Sequence, residues 1–214
     1  QEKEMRVGIE LFGEKGAQYV MGVDPARWND NFAIVILKLT PRGFETVYCW
    51  AMRGKAFDIA AAKMRDLMKR FNIVHIAMDR DGGGSAILDL LSNKHYMAED
   101  EQPIFDINDE TTRFYAGLHI LDCFPWVPAW IREANYALKT ELLHAKVLFP
   151  AAVDEEAAFD QYARFYNLKT STLSKAQKDW CLAELYGEIN EVGDKKGEGI
   201  WDNIQELTNE LCAI

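Results

Sequence analysis

Residues 19–52 read YVMGVDPARWNDNFAIVILKLTPRGFETVYCWAM. Tyr19 to Asp24 is a short apolar run that ends on an acid, while Phe32 to Thr40 and Gly43 to Met52 are longer runs rich in β-branched and aromatic residues. Runs of this kind, bounded by turn-forming residues, are strands. Pro41-Arg42-Gly43 between the last two is a tight-turn signal, so they pair as an antiparallel hairpin. From Lys55 to Asn72 the period changes: Phe57, Ala60, Ala61, Met64, Leu67, Met68 and Phe71 recur at helical spacing, with Lys63, Arg65, Asp66, Lys69 and Arg70 elsewhere. Ile73 to Asp79 (IVHIAMD) returns to strand and again ends on an acid, and Gly82-Gly83-Gly84 leads into a helix from Ser85 to Leu91.

Further along, a short strand is expected around Ile104 to Ile107. Pro128 suits the first turn of a helix whose apolar face is Ile131, Ala134, Leu138, Leu142 and Ala145. Val147 to Pro150 follows as an extended stretch, and helices are expected over Glu155 to Tyr166, Lys175 to Glu191 and Asn203 to Ile214. Gly193 to Gly199 reads as a mobile loop. A hairpin, a crossover helix, a further strand and a helix-rich second half give an α/β fold. Its mixed central sheet begins with an N-terminal antiparallel hairpin and is flanked by helices.

The chain has 214 residues, 49% of them hydrophobic and 27% charged, which excludes a disordered, collagenous or low-complexity protein. One domain is expected over 19–214, preceded by a charged lead-in over 1–18. There is no apolar run of about 18 residues, so no membrane span is expected. The first residues carry no apolar segment with a small-residue cleavage site, so secretion is not expected. Cys49, Cys123, Cys181 and Cys212 are scattered without a CxxC pair and read as reduced, small hydrophobes of an intracellular protein. The chain starts without Met and stops in an amphipathic helix, as a piece of a longer protein would.

Asp24 and Asp79 lie 55 positions apart, yet both end apolar strands. Groups just beyond the carboxyl ends of neighbouring strands in an α/β sheet meet in one crevice. Two carboxylates brought together repel unless they are protonated or bridged by a cation. Hard oxygen ligands with room for water suit Mg²⁺ or Mn²⁺. A pair of such ions activates water and stabilises a leaving oxygen on phosphorus. The competing role for each acid is to cap the turn after its strand. The glycine run is either a phosphate cradle or a small-residue turn that admits a nucleic-acid backbone close to Asp79. It lacks the trailing Lys-Ser/Thr of a P-loop. Asp81 in the same loop is a further metal-ligand candidate or a solvated acid.

These segments resemble the C-terminal nuclease domain of the large terminase (DNA-packaging) family of tailed phages. Val23-Asp24-Pro25-Ala26 with Asn29-Asp30 and the strand after it is similar to the family's first motif. Met78-Asp79-Arg80-Asp81-Gly82-Gly83-Gly84 with Ile87, Leu90 and Leu91 is similar to its second. Ala134 to Lys139 through Lys146 to Pro150, and the helix Ile204 to Leu211, resemble later segments. The resemblance implies an RNase H-like fold and a Mg²⁺- or Mn²⁺-dependent endonuclease that cuts double-stranded DNA during viral genome packaging, with Asp24 and Asp79 as metal ligands. It also implies a packaging ATPase domain N-terminal in the full chain, portal and small-subunit partners, and action in the host cell cytoplasm during virus assembly. The family's third acid follows the last helix in an Asp-rich motif, and the sequence stops at Ile214 before one. Either the third ligand is absent from this chain or another acid substitutes, with Asp202, Asp154 and Asp160 as the stand-ins.

Arg27 and Arg80, next to the two acids, and Lys169 and Lys175 are candidate DNA contacts, and Trp28 a candidate stacking residue. The alternative reading is a non-catalytic RNase H-like module that binds DNA or a packaging partner. The balance of 24 Lys and Arg against 34 Asp and Glu, a net charge of −10, argues at first against a polyanion partner. A site that concentrates acids around divalent cations contributes to that charge, and bound ions invert the local field. The charge therefore predicts feeble DNA binding without metal.

Overall fold

A computed structural model describes residues 7–25, 31–53, 56–81, 83–125, 127–187 and 199–212. The hairpin is present as β2 (Asn31–Thr40) and β3 (Gly43–Arg53), antiparallel, with β1 (Tyr19–Asp24) antiparallel to β2 on its other side. Gly43 has φ +136°, and a Cβ there would collide with the Lys146 carbonyl, which accepts from Phe44 N–H at 2.7 Å. Only glycine tolerates both constraints.

The crossover helix α1 (Phe57–Arg70) leads to β4 (Ile73–Asp79), which lies parallel to β1. Helix α2 (Gly84–Ser92) and β5 (Ile104–Asp106) precede β6 (Leu118–Phe124), which lies parallel to both β4 and β5. Helix α3 (Pro128–Leu143) buries none of its residues and carries the chain to β7 (Val147–Leu148), parallel to the start of β3. The sheet order is β5-β6-β4-β1-β2-β3-β7. This is a mixed sheet, with its antiparallel part at the N-terminal hairpin.

Strand β6 is absent from the sequence expectations. It holds His119 and Asp122 among its apolar residues, and its outer positions are only half-buried, so no clean alternation marks it. Three further helices close the chain: α4 (Glu155–Phe165), α5 (Lys175–Tyr186) and α6 (Ile200–Cys212). The expected extension of α5 to Glu191 and most of the expected loop at 193–199 lie outside the described residues.

Met21, Ile34, Ile36, Tyr48, Ile76 and Met78 from the central strands, with Met64 and Leu67 of α1, form one core, all at 1% exposure or less. Ile9, Leu11 and Phe12, ahead of β1, are buried in the same core. Cys49, Cys123 and Cys181 are buried with free thiols. No helix among the described residues is long and apolar enough to cross a membrane.

Candidate functional site

In β1, Tyr19, Met21 and Val23 are buried; in β4, Ile76 and Met78 are. Strand residues alternate between faces, so Gly22 and Asp24, and Ala77 and Asp79, share the other face. Gly22 is in register with Ala77 and Val23 with Met78, and Asp24 and Asp79 are each the next residue on. The two acids that end these strands are therefore neighbours on one face at the carboxyl edge of the sheet. Asp24 is exposed and Asp79 half-buried.

The turn after β4 fixes Asp79 closely. Its Oδ1 accepts from Asp81 N–H at 2.8 Å. Gly84 opens α2 directly against the Asp79 carbonyl, where a Cβ would collide, and Gly83 has φ +135°. The glycines thus serve as a close-approach turn. Arg80 N–H donates to the Phe124 carbonyl at 2.8 Å, and Arg80 Nη2 lies 3.0 Å from Asp106 Oδ2. Asp106, at the end of β5, is 3% exposed. Its Oδ1 accepts from Asn108 N–H at 3.0 Å and from Asn108 Nδ2 at 3.3 Å. Hydrogen bonds to Cys123 and Asp106 hold the Arg80 guanidinium above its ordinary pKa.

Three carboxylates that the sequence did not single out lie near the acids. Asp122 is in register with Ala77. Its carboxylate accepts from Asn108 Nδ2 at 2.8 Å and lies 3.9 Å from His75 Nε2. On the hairpin side, Cys49 is in register with Val35, and Val35 with Gly22. Burial, and then the charges of Glu206 and Glu210, push the Cys49 thiol up to about 12. Helix α6 therefore brings two exposed carboxylates within electrostatic reach of Cys49, which lies two strands away from β1. The signal available for them was their spacing of four residues, which aligns them on one side of a helix.

The other candidates are distributed differently. Arg27 and Trp28 lie outside the described residues. Lys169 and Lys175 are exposed and flank the packing of α4 and α5 around Phe12, whose ring is 4.3 Å from Phe165 and 5.9 Å from Trp180. Gly13, the next residue, packs on the Tyr19 ring. Both lysines therefore sit beside the packing of α4 and α5, not on the strands that carry Asp24 and Asp79. Asp154 caps α4 by accepting from Ala157 N–H at 3.0 Å, Asp160 accepts from Thr170 Oγ1 at 2.5 Å, and Asp202 Oδ2 accepts from Gly199 N–H at 3.3 Å. Among the described residues, no group of three or more His, Cys, Asp or Glu side chains is arranged to hold a metal ion.

Residues 21–114 match the family described as the terminase RNaseH-like domain. A comparison with curated proteins gave no match. Among solved structures, the large terminase nuclease from thermophilic phage G20c with bound magnesium is 15% identical with a TM-score of 0.48, covering 66% of this chain and 62% of that one. The large terminase of a second thermophilic bacteriophage is 10% identical with a TM-score of 0.42, over 72% of this chain and 34% of its own. The P22 large terminase nuclease domain is 13% identical with a TM-score of 0.36, over 81% and 87%. This chain therefore spans less than two thirds of the first of these and about a third of the second. Residues 21–114, which carry both Asp24 and Asp79, are similar to the terminase RNaseH-like domain.

Proposed function

We propose that the chain is a divalent-metal-dependent endonuclease that cuts double-stranded DNA in viral genome packaging, with Asp24 and Asp79 as the metal-holding carboxylates. The observation that carries the reading is the adjacency of these two acids at the ends of parallel neighbours β1 and β4, inside the segment similar to the terminase RNaseH-like domain.

The donor set fits a hard cation. Two carboxylates on one face supply oxygen ligands only, and Mg²⁺ is commonly held by one or two carboxylates with water and substrate phosphate completing its shell. When bound, such an ion supplies Lewis acidity that activates water and stabilises the leaving oxygen of a phosphodiester. The chain's own part is to hold the two carboxylates side by side. Their mutual repulsion is relieved by the cation, which ties DNA cleavage to metal. The third ligand is open to Glu206 or Glu210 of α6, to Asp81 or Asp202, or to a residue outside this chain. The packaging ATPase, the portal and the small terminase subunit are the partners a nuclease of this kind serves, in the host cell cytoplasm.

The test is linearisation of supercoiled plasmid in Mn²⁺ by the parent chain, Asp24→Ala and Asp79→Ala. Cleavage by the parent and its loss in both variants is expected. Unchanged cleavage by Asp24→Ala overturns the assignment. Metal-independent DNA binding with no cleavage at any Mn²⁺ concentration favours a non-catalytic module.

A further inference from the structure

We propose that Arg80 is a positioning residue that, through Asp106, locks the turn bearing Asp79 against β5 and β6, instead of contacting a DNA phosphate. The inference rests on the reading of Asp79 as a metal ligand. Arg80 sits between the Asp79 carboxylate and the Asp81 N–H that holds that carboxylate's Oδ1 at 2.8 Å. Any shift of Arg80 therefore moves a donor of the Asp79 carboxylate.

Arg80 is anchored at both ends. Its main-chain N–H is bound to the Phe124 carbonyl at 2.8 Å, and its guanidinium reaches Asp106 at 3.0 Å. The anchor is itself fixed. The Asp106 side chain is only 2% exposed. Its other oxygen is taken by Asn108, whose amide also donates to Asp122 at 2.8 Å. A buried carboxylate is costly without its cation, so the pair holds Arg80 to the flank of the sheet. A guanidinium engaged with an internal acid has part of its donor fork already committed. Groups one step removed from a metal ligand typically set affinity or activity by about 10–100-fold.

The experiment uses the full chain and two binding probes, beside the kinetics of plasmid cleavage in Mn²⁺. Mn²⁺ alone is titrated calorimetrically, and a DNA duplex is bound without divalent metal across a salt series. For Arg80→Gln, Mn²⁺ affinity and kcat are each expected to fall about 10–100-fold, with the plasmid KM and the salt slope of DNA binding unchanged. Asp106→Asn is expected to repeat this pattern, and Arg80→Lys, which keeps a donor toward Asp106, to recover most of the Mn²⁺ affinity.

Parental Mn²⁺ affinity in Arg80→Gln overturns the proposal. So does a raised KM with a salt slope reduced by about 0.9, the signature of one lost phosphate contact. A lowered Tm in Asp106→Asn with intact Mn²⁺ affinity marks a purely structural pair and overturns it as well. If Asp106→Asn does not fold, Arg80→Gln decides alone, because its side chain is 47% exposed. The nuclease reading fails by a different result, in which Asp79→Asn keeps both Mn²⁺ affinity and cleavage.

Discussion

Asp79 is held by its surroundings at two points, by Asp81 N–H on its carboxylate and by Gly84 packed on its carbonyl. Gly84→Ala forces a methyl group into that contact and is expected to cost about 1–3 kcal/mol, read from the urea midpoint. The same substitution displaces the carboxylate and should weaken cleavage. Asp154→Ala removes the cap of α4 and is expected to cost about 1 kcal/mol with no effect on cleavage. That Asp24 and Asp79 end two apolar strands was readable in the sequence, because a carboxylate there stands out against its neighbours. The engagement of Arg80 was not, because Asp106 lies 26 positions later, at the end of a strand of three residues. Asp154, Asp160 and Asp202 look alike as isolated acids, and only the structure shows each bonded to its own local partner.

At the scale of elements, α6 is held to the sheet by Ile200 and Ile204, 2% and 0% exposed. Ile204→Ala leaves a cavity there and is expected to lower stability by about 2–5 kcal/mol in denaturant titration. Because this helix carries Glu206 and Glu210, candidates for the third metal ligand, the variant should also lower cleavage beyond its effect on the folded fraction. Helices with strong apolar periodicity appeared close to where the sequence put them: α1 was expected over Lys55 to Asn72 and spans Phe57–Arg70. The expected face of α3 ran to Ala145, but the helix ends at Leu143 and Ala145 turns to φ +52° to enter β7. Strand β7 is too short for any period, and the contact that fixes it, Phe44 N–H to the Lys146 carbonyl, joins residues distant in sequence. Short strands are set by their partners more than by their own residues.

For the whole molecule, two electrostatic consequences follow. Burial would raise the Glu184 pKa, but Lys63 and Arg70 outweigh it and hold the carboxyl below its ordinary value of 4.5. A depressed carboxyl stabilises the fold above its unfolded pKa, and that stabilisation is lost as pH falls through the folded value. The parent is thus expected to lose stability below about pH 4.5. Glu184→Gln should flatten that part of the profile and cost about 3 kcal/mol at neutral pH, since Lys63 and Arg70 lose the buried acid they share and Arg70 keeps only the exposed Asp66. The net charge of −10 predicts DNA binding that is weak without divalent cation and tightens on adding Mn²⁺, measured by fluorescence anisotropy at fixed ionic strength. The strand order has a further consequence. Strands β1 and β4 lie at the middle of seven, flanked on both sides. Peripheral segments open locally, whereas central strands exchange their amide protons only when the whole domain opens. The slowest-exchanging amides are therefore expected in the strands that carry Asp24 and Asp79, and heat should abolish cleavage in step with global unfolding, with no earlier melting of the site.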